Sequence, residues 1–285
     1  MNSILICLLF LFYQEPKEDN LTNHPADDRY ASYSPDGTQI LFASNRNGNW
    51  DVFLMNADGN HVRQLTTENF DERRPSWHPN GRYVLFESNQ SGKFELFQIE
   101  LADLSIQQIE IPNTTGTPIF ASYSQDGKSI AYALRMSETS SQLITLDVER
   151  GKQNVIMDTG LRTFYPRWSP DGSQLLFFSR HETNNEDDEI YTMDIEGMNL
   201  KRLTHWPAHN FCPSWSPDGK QIAYAQSIPD GRPEIFLMNA DGSDARQITY
   251  NEEGDTLPNW SPDGKKLLIT AYRGGNYEIV VVELN

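Results

Sequence analysis

Trp260-Ser261-Pro262-Asp263-Gly264 closes a segment that the chain writes six times. Its relatives are Tyr33-Ser34-Pro35-Asp36-Gly37, Trp77-His78-Pro79-Asn80-Gly81, Tyr123-Ser124-Gln125-Asp126-Gly127, Trp168-Ser169-Pro170-Asp171-Gly172 and Trp215-Ser216-Pro217-Asp218-Gly219. The aromatics that open them are spaced by 44, 46, 45, 47 and 45 residues. A constant period of this length marks a repeat architecture. Each copy also reads as a turn. Proline presets φ for the second position of a type I turn, Asp or Asn tolerates the third, and Gly takes the left-handed conformation that follows. Such a turn joins antiparallel strands tightly, so the repeated unit is a hairpin with an aromatic just before its bend.

Working outward, the same order of segments follows each bend. In the first repeat Ile40-Leu41-Phe42-Ala43 is a short apolar run. After a polar turn comes Val52-Phe53-Leu54-Met55, then Asn56-Ala57-Asp58-Gly59, then Val62-Arg63-Gln64-Leu65-Thr66. Four short strands per repeat, joined by tight turns, predict a propeller blade. Equivalent runs, such as Leu175-Leu176-Phe177-Phe178 and Ile279-Val280-Val281-Val282, are apolar without alternation, as strands covered on both faces must be. The six aromatics are expected to pack between blades.

Outermost strands are expected at residues 62–66, 106–111, 154–157, 200–204 and 245–249, which is one short of six. The sixth repeat ends after its third strand, whereas Asn20-Leu21-Thr22 near the start matches Gln64-Leu65-Thr66 and Arg202-Leu203-Thr204. Residues 18–22 are therefore expected to complete the last blade and cover its edge. The fold expected is all-β, a six-bladed β-propeller over residues 15–285.

A net charge of −17 argues against nucleic acid and suits a soluble protein with a basic or neutral partner. Residues 4–13 form an uncharged apolar run ahead of the repeats, read as a signal peptide or apolar leader spanning 1–14, at most a membrane anchor. Only Cys7 and Cys212 are present, so no disulfide framework is expected, and Cys212 reads as a buried small side chain.

With these segments in view the chain resembles the TolB-type (WD40-like) propeller repeat. The pattern is Pro-x-Trp-Ser-Pro-Asp-Gly, an apolar strand, then the runs at 55–66 (MNADGNHVRQLT) and 238–249 (MNADGSDARQIT). The resemblance covers about 21–285 and lacks the α/β domain that precedes the TolB propeller. It implies the fold and an envelope-associated, periplasmic or secreted binding protein, and does not carry over a role in the Tol–Pal system. It also implies that partners meet the loops joining each outermost strand to the next innermost one. Here these are 23–29, 67–74, 112–117, 158–165, 205–212 and 250–257.

Charges on those loops nominate Asp28, Arg29, Glu72, Arg73, Arg162, His209 and Asp255 as partner-binding residues for a protein or peptide. The alternative is a metal-assisted lyase or hydrolase acting on an acidic oligosaccharide. His24, His205 and His209, with Asp27 or Asp255, are the donors it would use. Oligogalacturonate lyases, whose propellers this repeat also resembles, use a metal and histidine at such a mouth. No nucleophile elbow, His-Glu-x-x-His helix or phosphate-cradling Gly loop occurs. The acidic run 182–189 lacks the spacing of a calcium loop. The reading is a monomeric, non-catalytic binding or scaffold propeller with neither cofactor nor metal.

Overall fold

The computed structural model describes residues 16–112, 115–183, 187–205 and 208–284. The apolar leader and the middle of the acidic 182–189 run lie outside the described residues. Six four-stranded antiparallel sheets follow one another. Blade 1 comprises strands Asp28–Tyr33, Gln39–Ser44, Asp51–Asn56 and Arg63–Gln64, from channel to rim. Blade 2 has Glu72–Trp77, Tyr83–Ser88, Glu95–Glu100 and Ile106–Gln108; blade 3 has Thr117–Tyr123, Ser129–Arg135, Ser141–Asp147 and Lys152–Asp158. Blade 4 has Thr163–Trp168, Gln174–Ser179, Glu189–Asp194 and Lys201–Arg202; blade 5 has Asn210–Trp215, Gln221–Ser227, Pro233–Asn239 and Arg246–Gln247. Blade 6 is Asp255–Trp260, Lys266–Arg273 and Asn276–Glu283, with Glu18–Asn20 as its outermost strand.

The apolar runs are buried on both faces for the reason their lack of alternation suggested. Ile40 and Phe42 pack with Leu268, Ile279 and Val281 of blade 6, while Leu41 pairs off to the other side with Val84 and Phe86 of blade 2. Successive side chains point to opposite faces of a strand, so a blade between two neighbours needs apolar residues at every position.

The bends form as their residues dictate. In blade 1 the Gly37 N–H donates to Ser34 O at 2.8 Å, closing a turn in which Gly37 sits at φ 74°. The Ser34 hydroxyl donates to Asp36 Oδ1 (2.6 Å) and accepts from Gln39 N (2.9 Å), and Thr38 N donates to the same Asp36 oxygen (3.0 Å). Ser124, Ser169, Ser216 and Ser261 repeat the hydroxyl–carboxylate bond. In blade 2 the His78 ring nitrogen replaces the hydroxyl and accepts from Asn80 N.

The opening aromatics pack across the seams as expected. Trp77, Trp168 and Trp260 each donate their indole N–H to a carbonyl of the preceding blade, Ser32 O, Ser122 O and Ser214 O.

The expected closure is present. Glu18–Asn20 pairs antiparallel with Val280–Val282, and Leu21 N donates to Ile279 O at 2.9 Å. Thr22 then does with its side chain what a strand residue does with its backbone. Its hydroxyl accepts from Ile279 N (2.9 Å) and donates to Glu278 Oε2 (2.6 Å). The same device occurs within single blades. Thr66 accepts from Val52 N, Thr204 from Ile190 N and Thr249 from Ile235 N, and the latter two hydroxyls donate to Glu189 and Glu234. In these four blades the outermost strand is only two or three residues long, shorter than expected, and the threonine side chain takes over the ladder where the backbone leaves it. Blades 2 and 3 have no such threonine; their outermost strands are Ile106–Gln108, also short, and Lys152–Asp158, which is full length.

Replacing Thr22 by Val leaves Oε2 of Glu278, a residue 5% exposed, and the Ile279 N–H without their partner. Two buried groups left unpaired cost about 1–3 kcal/mol each, and about 2–4 °C of melting temperature is lost per kcal/mol in a domain of this size. Thr22→Val is therefore expected to melt several degrees lower than the parent. A chain beginning at Asn23 should lose far more, while one beginning at Gln14 should melt like the full sequence. Calorimetry on the three variants checks this, and an unchanged melting point for the Asn23 start would refute the latch.

Candidate functional site

The innermost strands begin earlier than the residue types suggested: Asp28, Glu72, Thr163, Asn210 and Asp255 are their first residues, not loop residues. This divides the seven nominated side chains. Asp28, Glu72 and Asp255 are 0%, 2% and 0% exposed. Asp28 accepts from Arg46 Nη2 at 3.0 Å with both oxygens, and Asp255 accepts from Arg273 Nη2 (2.8 Å) and Asn251 Nδ2 (2.5 Å). They hold the strand starts in place instead of offering a surface. Arg29, Arg73, Arg162 and His209 reach solvent, with side chains 31%, 35%, 35% and 44% exposed.

Blades 1 and 2 build the same exposed element. Arg29 pairs with Asp27 (3.0 Å) and lies 3.7 Å over the Tyr277 ring of blade 6, with Trp50 at 5.6 Å. Arg73 pairs with Asp71 (2.6 Å) and lies 5.0 Å over Phe94. Farther round, Arg162 is 3.7 Å from Asp188 and 5.3 Å over Phe164. His209 Nδ1 accepts from Asp188 N (3.2 Å), while its Nε2 is 3.5 Å from Asp187 Oδ1. Each guanidinium is thus seated on an aromatic face with one carboxylate beside it; its Nε is buried without a partner, and the side chain as a whole is partly exposed.

The donors of the metal-dependent alternative are spread apart. His24 accepts from Ala26 N beside blade 6, whereas His209 contacts the Asp187–Asp188 corner between blades 4 and 5. Among the described residues no three His, Cys, Asp or Glu side chains come together as a metal site.

Below the rim lies a layer the sequence reading did not single out. Every innermost strand breaks register once, and the bulged residue is a non-glycine in the left-handed region. These are Tyr30 (φ 61°), Arg74 (49°), Phe120 (58°), Tyr165 (64°), Cys212 (51°) and Leu257 (54°). Such a backbone costs about 1–2 kcal/mol at each position and persists only where the surroundings enforce it. The following residue is Ala or Pro in every blade, and a proline at a bulge sacrifices no ladder donor. Five of the six side chains line a cavity of about 210 Å³ inside the ring. Cys212 is buried and its thiol is pushed up to about 12 by that burial, in keeping with the expected small apolar role. Arg74 is held by Glu87 at 2.5 Å and stacks 4.4 Å over Phe120, while the other Glu87 oxygen accepts from Phe120 N (2.7 Å). Aligning the six repeats on their aromatics would have exposed this column, since each member precedes its aromatic by three residues.

The chain matches the family model described as the TolB beta propeller domain over residues 112–285, and that of the Tricorn protease N-terminal beta propeller domain over 14–144. Among solved structures it is similar to the TolB-type protein of Agrobacterium tumefaciens (19% identity, 92% of each chain covered, TM-score 0.74). It is similar also to TolB from Acinetobacter baumannii (17% identity, 92% of this chain, TM-score 0.66), of which it spans 64% of the length. A third is the oligogalacturonate lyase of Vibrio parahaemolyticus (18% identity, 95% of this chain and 94% of that one, TM-score 0.64). At these identities the likeness establishes the fold.

At the seam of blades 1 and 2, Glu72 sits beside Asp51, and its Oε2 has no hydrogen-bond partner. Burial, reinforced by the Asp51 charge and opposed by the Ser88 hydroxyl, pushes the Glu72 carboxyl up to about 7. A carboxyl raised in the folded state favours folding below its unfolded value, near 4.5, and that contribution is lost as pH rises through 7. Glu72→Gln is therefore expected to equal the parent at pH 4 and to exceed it at pH 8 by on the order of 2–3 kcal/mol. Urea unfolding at the two pH values checks this; a pH-independent difference would contradict it.

Proposed function

The chain belongs to the TolB β-propeller family, and from that membership we propose that it is a non-catalytic binding module of the cell envelope, periplasmic or secreted, engaging a protein or peptide at its loop rim. The observation that carries this reading is the pair of equivalent arginines, Arg29 and Arg73, exposed yet fixed by an aromatic face and a carboxylate. A prearranged guanidinium loses little freedom on binding and presents its fork to a carboxylate or carbonyl, which is how arginine anchors interfaces. Arg162 and His209 extend the rim on the far side, and Asp28, Glu72 and Asp255 support it from beneath. The module works as a monomer and needs no bound group.

The alternative, a metal-assisted lyase or hydrolase of acidic oligosaccharides, draws its support from the lyase-like fold. It requires donors that converge, and among the described residues none do. The geometry therefore favours binding.

Affinity capture from a native envelope extract, with the chain from Gln14 onward as bait, tests the reading. A protein retained by the parent and reduced at least tenfold by Arg29→Ala/Arg73→Ala is the expected result. Equal retention by parent and variant would remove the rim from the function. Stoichiometric divalent metal in the purified protein, lost in His24→Ala or His209→Ala, would replace the binding module with the lyase.

A further inference from the structure

The opposite end of the channel has a different chemistry. There the six bends stand in a circlet, in five of which the glycine lies against the proline of the blade before it, as Gly37 against Pro262 and Gly81 against Pro35; Gly172 follows the blade whose bend has Gln125 instead of proline. With the aromatics that precede them they wall a cavity of about 470 Å³, lined by Tyr33, Trp77, Tyr123, Trp168, Trp215 and Trp260 together with five prolines. Packing between blades, the role expected of these rings, leaves them also as the wall of a mouth.

One residue before each aromatic, the repeats place Ser32, Ser76, Ser122, Arg167, Ser214 and Asn259. Five are small neutral groups and one is an arginine. Arg167 lines both this mouth and the inner cavity. Its guanidinium stacks 3.7 Å over Tyr165, and its Nη1 donates to Pro166 O (3.0 Å) and Phe120 O (3.4 Å), both neutral. Among the described residues it is the one partly buried lysine or arginine that has no carboxylate within ion-pair distance; Arg29, Arg46, Arg73, Arg74, Arg162, Arg180, Arg202, Arg232 and Arg273 are all paired. In a chain with 40 acidic side chains and 23 basic ones, an unpaired half-buried cation is conspicuous. Removing a charge from water is unfavourable unless a counter-charge meets it.

Independent observations point to the same place. Ser214, next in the ring, is 5% exposed, lines the mouth, and its hydroxyl has no partner. Trp215 is the one tryptophan of the circlet whose buried indole N–H finds no acceptor. Both belong to blade 5, directly after the arginine's blade. A cation and two side chains with unsatisfied donor groups, on successive blades, therefore line one mouth, and oxygen acceptors carrying negative charge would satisfy them.

We propose that this mouth is a binding site for a small organic carboxylate, with Arg167 taking the carboxylate, Ser214 and Trp215 adding hydrogen bonds, and the ligand's apolar ring lying among the tryptophans and prolines. The planar guanidinium fork matches a carboxylate, and aromatic walls suit a flat or cyclic body. The volume is in the range of small-ligand cavities. The protein's overall negative field opposes anions at long range but is screened within about 8–10 Å at physiological salt, so the close contact decides. The site is separate from the loop rim and stands or falls independently of it.

Benzoate is the first probe, titrated into the full chain by calorimetry and tryptophan fluorescence, with benzamide as its neutral isostere and inorganic phosphate as a bare anion. Saturable benzoate binding, at least tenfold tighter than benzamide and reduced at least tenfold in Arg167→Gln, is expected. Arg167→Lys should retain part of the affinity. Equal binding of benzoate and benzamide to the parent overturns the proposal without recourse to any variant. Phosphate binding as tightly as benzoate would overturn the carboxylate class, and undiminished benzoate binding by a folded Arg167→Gln would overturn the role of the arginine.

Discussion

The ring is closed by its N-terminal strand, anchored by the hydrogen bonds that Thr22 makes with Glu278 and Ile279, 256 and 257 residues along the chain. A blade whose strands are apolar on both faces is stable only between two neighbours, so an open ring would expose two such faces. Closure removes both at once, and Glu18–Asn20 makes it by pairing with the last blade's edge strand. The threonine device that ends four of the outermost strands is what makes the N-terminal strand interchangeable with them.

The seams carry a cost as well as a benefit. Glu234 and Asp255, like Asp51 and Glu72, bring two carboxyls close across a blade boundary, and burial raises all four above their usual range. Asp255 is relieved by Arg273, whereas Glu72 is eased by the Ser88 and Thr66 hydroxyls and by no cation. The ring is thus not uniform: at the seam between blades 1 and 2 a raised carboxyl has no cation on it, and it lies next to Arg73 of the rim.

The two ends of the channel differ because the blade has two kinds of connection. At one end, loops of variable sequence set Arg29 and Arg73 on aromatic faces. At the other, near-invariant bends leave little room for variety, so a single departure such as Arg167 stands out. Between them the left-handed bulges turn Tyr30, Phe120 and Tyr165 into the channel, with Arg74 neutralised by Glu87.

The sequence by itself determined the blade number, the bends, the apolar strands and the closing strand, because each rests on local signals: a proline–Asp–Gly turn, a run of β-branched and aromatic residues, a terminal Leu-Thr. It also placed Cys212 in the interior and the opening aromatics between blades. Only the tertiary structure decided which charges face solvent. Asp28, Asp255 and Arg29 look alike as charged residues near a loop, and adjacent positions on a strand point opposite ways. Whether a carboxylate is buried against Arg46 or Arg273, or an arginine is left without a counter-charge as Arg167 is, depends on residues from elsewhere on the blade and from the next blade, about 45 positions away. Charge environments are set by proximity in space, and in a ring of repeats that proximity exists only once the ring has closed.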